Sequence, residues 1–345
     1  MVGALAASLA LISCTGSDDS AGSGTELSFF IFNEPSGAYQ EAAKACSEQS
    51  NGKYTISFEF LPAQADAQRE QLVRRLGAED DSIDIVGMDV IWTAEFANAG
   101  WILPWEDPQR QQVTDGVFDS VVESASYEGD LYAAPFTSNT QLLWYRKDLV
   151  PKAPTTWEQM LTEAERIGPA DGGLIQVQAN RYEGFTVWIN SMIESAGTQV
   201  LSGPTEVDLA QAPTEEAIRV MAEYASSDVA PPNVDTSTED TARLGFEGGD
   251  SAFMLNYPFV YPSAKENAPD VFKELGAAKY PAVEAGKPSR PPLGGINLAV
   301  SKFSANPDLA FEAITCLVKP ENQVTAATLG GLPPVTESLY DSKDI

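Results

Sequence analysis

The side chains able to do chemistry in this chain are carboxylates, amides and aromatic rings. There is no histidine, and only three cysteines occur in 345 residues, so a Ser-His or Cys-His nucleophile and a structural zinc site lack their parts. What remains is Glu34, Asp89 and Glu239 as acids or hydroxyl acceptors, Asn33 and Asn139 as amides, and Tyr257 and Phe259 as flat rings. Two such carboxylates flanking a glycosidic bond could act as acid and as base or nucleophile. The same groups could instead accept hydrogen bonds from sugar hydroxyls while the rings cover apolar C–H faces, which binds a sugar without reacting with it. No cofactor and no metal is expected.

These residues need elements that bring them to one place. Ile83, Ile85, Val86 and Met88 form an apolar run of strand length, and Val90 to Asn98 reads as a helix that Gly100 stops, so Asp89 falls at a strand's carboxyl end. In open α/β sheets that edge is where ligands bind. Asp89 is then either a ligand contact or only the cap of the next helix, and the residues alone leave both open. Leu27 to Phe32 repeats the pattern, ending in Asn33 and Glu34 before a helix from Ala38 to Ser47. Tyr54 to Phe60 alternates as a strand, and Ala65 to Leu76 reads as a helix bearing Gln68 and Arg69, the latter a solvated charge. Alternating strands and helices imply βαβ units and a largely parallel sheet.

Leu131 to Val150 consists of two strand-like runs broken at Thr137 to Thr140, as a chain leaving one sheet for another would be. Trp157 to Ile167 is a scaffold helix with Thr156 and Gln159 at capping-box spacing. Tyr182 to Ser195 is an apolar helix whose Trp188 belongs to a core, and Glu239 opens another helix, where a surface acid is the ordinary expectation. The buried strand Ala252 to Leu255 runs into Asn256, Tyr257, Phe259 and Tyr261 crowded around two prolines, which suits a sugar or simply plugs a lobe. Leu293, Gly294 and Gly295 precede the strand Leu298 to Ser301, and paired glycines let backbone approach a ligand closely.

The length suits two α/β lobes. A net charge of -29, from 50 acidic against 21 basic residues, repels nucleic acid and anionic membrane surfaces. Residues 1–13 read as the apolar region of an export signal; it ends Leu11-Ile12-Ser13-Cys14, like a bacterial lipoprotein signal, although no Lys or Arg precedes it. Residues 14–25 form a polar tether behind Cys14, whose lipidation would anchor the body to a membrane. Cys46 and Cys316 remain, and in an oxidising compartment they could pair.

In order along the chain, the signal with Cys14, MDVIWTAEFANAGWILPW, PFTSNTQLLWYRKDLV, FEGGDSAFMLNYPF, LGGINLAVS and GGLPP resemble the family 1 extracellular solute-binding proteins of sugar-importing ABC transporters. Within them, NEPSG and LPAQADAQREQLVRRL look like mycobacterial trehalose-binding lipoproteins. The resemblance implies an α/β, two-lobed, periplasmic-binding-protein-like (type II) fold with a central cleft and crossing-strand hinge. One lobe would take residues 26–136 and 298–345, the other 137–297. It implies that Asn33, Glu34, Asp89 and Asn139 hydrogen-bond the sugar, with weaker support for Glu239. Tyr257 and Phe259 stand where relatives commonly carry Trp and Tyr as stacking rings, and Leu293, Gly294 and Gly295 match the backbone segment beside the ligand. By the family's path the Cys316 helix joins the first lobe, so a Cys46–Cys316 disulfide is expected. Relatives continue past GGLPP with helices that return an arginine to the cleft, so this chain is expected to be a fragment.

The expected function is capture of a disaccharide, trehalose or a related α-glucoside, by a monomeric envelope lipoprotein that delivers it to an ABC permease. Membrane contact is expected through the lipid anchor only. A glycoside hydrolase using two of Glu34, Asp89 and Glu239, and an envelope scaffold using the Tyr257 to Tyr261 rings, are the competing readings.

Overall fold

The computed structural model describes residues 24–203 and 205–343, so the expected signal, Cys14 and most of the tether lie outside the described residues. Strand β1 (Thr25–Phe32), helix α1 (Ala38–Gln49), strand β2 (Tyr54–Leu61), helix α2 (Ala65–Gly77), strand β3 (Ile85–Asp89) and helix α3 (Thr93–Asn98) follow one another as the apolar periods dictate. Between β3 and α3 lies a single 3-10 turn, Val90–Trp92, rather than a helix continuous from Val90.

β1 pairs in parallel with β2 and β3. Strand β4 (Ala134–Asn139) lies at the far edge of the same sheet, and the chain then leaves through strand β5 (Leu142–Arg146) into a second sheet. Helix α4 (Trp157–Ile167), strand β6 (Leu174–Gln176), helix α5 (Glu183–Ala196), helix α6 (Ala212–Ala225), helix α7 (Glu239–Glu247), strand β7 (Ser251–Asn256), helix α8 (Val260–Asn267) and strand β8 (Leu275–Ala278) complete that second lobe. Its sheet runs β8-β5-β7-β6. Strand β9 (Gly294–Val300) brings the chain back, inserting antiparallel between β3 and β4 to give the order β2-β1-β3-β9-β4. Helix α9 (Pro307–Leu317) and helix α10 (Pro320–Gly330) then pack on the first lobe.

The first sheet is thus parallel apart from the returning strand. It keeps the chain through Asn139 and reclaims it at Gly294, so the crossings lie at 140–141 and before 294, a few residues from the expected 137 and 297 boundaries. The glycines expected to precede the last strand form its first two residues.

Each lobe has its own core, as two lobes require. In the first, Leu27, Phe29 and Ile31 of β1 meet Ile85, Val86, Leu298 and Val300 beneath α1 and α9. In the second, Trp157 is fully buried against Trp188 and Tyr224, which places Trp188 in a core. The α4 cap differs in one bond from a capping box. The Thr156 hydroxyl accepts from the Gln159 N–H at 3.3 Å, but the Gln159 side chain returns to the Thr155 N–H at 2.9 Å. Cys46 of α1 and Cys316 of α9 form a disulfide with Cα atoms 5.8 Å apart. Among the described residues no helix is long and apolar enough to cross a membrane.

Candidate functional site

Of the residues expected at the site, only Leu293 lines the cavity that lies between the two lobes. That cavity, of about 720 Å³, is lined by Asp66 and Ile91 from the first lobe and by Tyr182, Glu183, Asn190 and Glu194 from the second. The crossing segment Arg290 to Leu293 closes one side of it. That volume lies within the range of small-molecule sites.

Asp89 ends β3 as expected, and it does cap: its carboxylate accepts from the Ile91 N–H at 3.1 Å. Burial nevertheless pushes its pKa up to about 6, so one backbone donor does not compensate the charge. The cap is thus observed, and the cavity is lined two residues on, by Ile91, rather than by Asp89 itself. Opposite stands Glu183, the first residue of α5. Burial, then the charges of Asp89, Glu239 and Asp66, raise its carboxyl to about 8. Glu239 opens α7 and is also raised, chiefly by burial, so it is no ordinary surface acid. Carboxylates from both lobes are thereby held within electrostatic reach of one another.

Local sequence explains how they fit. Gly184, second in α5, leaves the space occupied by the Tyr182 hydroxyl and Glu239 Oε1, where a Cβ would collide with both. The Tyr182 hydroxyl is buried beside Glu239, and burial with that neighbouring charge drives its pKa far above the phenol range. Tyr257 follows β7; burial, then Glu183, Glu239 and Asp89, raise it likewise. Its ring also borders the crossing, with Cε1 4.0 Å from the Cβ position of Gly294.

At the crossing, Asn139 and Gly294 are directly paired across β4 and β9, and the Asn139 side chain accepts from the Thr140 N–H at 3.1 Å. Gly295 has φ 140°, and a Cβ there would strike the Thr137 carbonyl, so the position admits only glycine. Leu293 lines the cavity directly and is 46% exposed. Asn33 is exposed at the end of β1, whereas Glu34 is buried. The Glu34 carboxylate accepts from the Ser36 N–H at 3.0 Å and from the Ser36 hydroxyl at 2.5 Å.

Other residues are engaged elsewhere. Phe259 packs with Trp144, Phe246 and Met254 of a second-lobe cluster, because α8 begins at the next residue and turns its ring onto that core. Arg69 is exposed and bidentate to Glu95 at 2.5 and 2.7 Å, and Gln68 donates to the Ala63 carbonyl at 3.2 Å. Sequence reasoning missed Asp66, Tyr182, Glu183 and Arg290. The strand-end rule applied to β6 and the start of α5 would have found Tyr182 and Glu183. Among the described residues no cluster of His, Cys, Asp and Glu could hold a metal ion.

The raised carboxyls fix the sign of a pH effect. Asp89 near 6 and Glu183 near 8 bind more protons in the folded chain than at their ordinary values of about 4, so stability is lost as pH rises from about 4 to about 8. The ion-paired acids Asp80, Asp148 and Glu216 are shifted down, so their contribution is constant above about pH 5. Urea unfolding of the ligand-free protein should give a higher midpoint at pH 5 than at pH 8. Glu183→Gln should flatten that slope; an unchanged slope in the variant would contradict the assignment.

Comparison with known proteins agrees with this architecture. Residues 32–324 match the model of a family described as bacterial extracellular solute-binding protein. A probable ABC transporter-binding protein of Deinococcus radiodurans is 28% identical over 312 residues, covering 84% of this chain and 71% of the relative. The diacetylchitobiose binding protein DasA of Streptomyces coelicolor is 22% identical, over 77% of this chain and 63% of its own length. The maltotriose-binding protein of Pyrococcus abyssi is 26% identical, over 72% and 54%, so the chain spans less than two thirds of these last two. Among solved structures, maltose-bound MalE3 of T. maritima superposes with a TM-score of 0.85 at 23% identity, covering 92% of this chain and 83% of that one. That likeness establishes the two-lobed periplasmic-binding-protein-like fold.

Proposed function

The chain belongs to the bacterial extracellular solute-binding protein family, and we propose that it captures a disaccharide between its lobes for an ABC importer. The observation that carries the proposal is the interlobe cavity of about 720 Å³, whose lining comes from both lobes and from the crossing between them. A ligand seated there touches both lobes at once. The closed form gains contacts that an open form lacks, so binding shifts the population toward closure.

The class of ligand follows from the donors and acceptors. Glu183 and Leu293 line the cavity, and with Asp89, Glu239 and Asn139 as acceptors for a rim of hydroxyls, Tyr257 as a ring and Gly294 and Gly295 as backbone they suit a sugar. Each neutral hydrogen bond contributes ~1 kcal/mol net and bonds to the carboxylates about twice that, so several together reach micromolar affinity. Relatives named for binding maltotriose and diacetylchitobiose support a sugar. The NEPSG and LPAQADAQREQLVRRL segments favour trehalose or a related α-glucoside. Export, lipidation at Cys14 and delivery to a membrane permease complete the proposal.

Capture rather than hydrolysis is proposed because the family is one of binding proteins. Thermal unfolding with a panel of disaccharides tests both points. A ligand at a hundredfold excess over its Kd should add about 2.7 kcal/mol of stability. We expect trehalose to raise the melting temperature and to be recovered intact. Cleaved sugar would favour a hydrolase, and no response to any sugar would favour a scaffold.

A further inference from the structure

Two of the expected ligand contacts, Glu34 and Tyr257, sit on opposite lobes and belong to short turns that do not touch each other through the cavity lining. What joins them is the end of α10. Gly330 is buried against the Glu34 turn: a Cβ there would lie 2.8 Å from the Ser36 hydroxyl oxygen and 3.2 Å from Glu34 Oε1. Gly331, at φ 62°, meets the other lobe. A Cβ there would lie 2.9 Å from the Pro258 carbonyl oxygen, on the turn that carries Tyr257, and 3.0 Å from Pro262 Cδ in the first turn of α8. Real side chains do not tolerate contacts below 3.0 Å: at Gly331 the close atom is backbone, which cannot swing aside, and at Gly330 it is the Ser36 hydroxyl, which would have to leave its bond to Glu34.

The turn itself is fixed to the first lobe. Gly331 N–H donates to the Ala327 carbonyl at 3.0 Å, and the Pro333 carbonyl accepts from Ser138 N–H of β4 at 2.9 Å. Farther on, the buried Gln323 side chain accepts from the Val335 and Thr336 N–H groups at 3.0 and 3.1 Å. A rigid strut anchored on one lobe thus abuts the other where the cleft ring is carried.

We propose that Gly330 and Gly331 are positioning residues of the cleft, a side-chain-free strut that lets the Glu34 turn and the Tyr257 turn close on the same ligand. The inference rests on the disaccharide-capture proposal. Bulk at either glycine holds the two turns apart, so ligand dissociates faster although neither glycine contacts it.

The test compares three variants of the whole chain. Gly331→Ala adds both bulk and left-handed strain. Gly330→Ala adds bulk at a position whose φ is ordinary, which keeps the test open should Gly331→Ala fold poorly. Gly129→Ala is the control for strain alone, since its φ is 94° and a Cβ there meets nothing within 4 Å. For the disaccharide that wild type binds best, Gly330→Ala and Gly331→Ala should lose at least about tenfold in affinity through faster dissociation, and Gly129→Ala less than about twofold. Small-angle scattering of the sugar-saturated Gly330→Ala and Gly331→Ala proteins should give a larger radius of gyration than wild type. Equal affinities in all four proteins, or an equal loss in the control, would overturn the proposal. If wild type binds no disaccharide, the capture proposal fails instead. The strut is then judged on ligand-free protein, where an unchanged radius in Gly330→Ala and Gly331→Ala would overturn it.

Discussion

Asp89→Asn is expected to weaken disaccharide binding by about 10- to 100-fold while leaving the ligand-free protein at least as stable as wild type at pH 7. The two effects have one cause. Burial raises the Asp89 carboxyl to about 6, so its ionised form is held at a cost in the folded protein. An amide of the same shape removes that cost and can still accept from the Ile91 N–H, so the turn after β3 keeps its cap. A hydroxyl bonded to a carboxylate contributes about 1.5–3 kcal/mol, which the amide only partly replaces. Asp89→Ala should lose both cap and acceptor, adding about 0.5–2 kcal/mol of destabilisation to the loss of binding. Titration and urea unfolding of both variants check this. Undiminished affinity in Asp89→Asn would remove the residue from the ligand site, and a marked loss of stability in it would show the charge to be structural.

The largest effect on stability is expected from Cys46 and Cys316. The pair closes a loop spanning 270 residues, tying α1 to α9 after the chain has visited the second lobe and returned. Cross-linking so long a loop restricts the unfolded chain, and removing such a bond typically costs about 2–5 kcal/mol. Both sulfurs are buried in the first-lobe core and neither residue lines the cavity. The Cys46→Ser, Cys316→Ser double variant should therefore melt well below wild type and yet bind sugar with nearly wild-type affinity while folded. Reductant should lower the wild-type melting temperature toward the variant's. Alkylation of both thiols in the exported protein without prior reduction would contradict the cross-link.

Strand and helix order in the first lobe were legible because each element carries its own apolar period and its own stop, as with the run from Ile83 to Gly100. The same locality exposed Asp89, since a polar residue ending an apolar strand is a feature of neighbours in sequence. Glu183 was not legible in that way. Its perturbation comes from Asp89, Glu239 and Asp66, residues that only the packing of two lobes brings near it. The packing of Phe259 was hidden for the converse reason: rings beside prolines look alike in sequence, and only the start of α8 shows that this one lies against the Trp144 and Phe246 cluster. The contact of Gly331 with Pro258 was equally illegible, because it depends on where β7 of the other lobe ends.

If the cleft holds a disaccharide between the lobes, calorimetric titration of the protein with trehalose will show it. Saturable one-to-one binding with a Kd of about micromolar is the expected result. The absence of saturable heat at millimolar trehalose, with maltose and other glucose disaccharides equally silent, would contradict it.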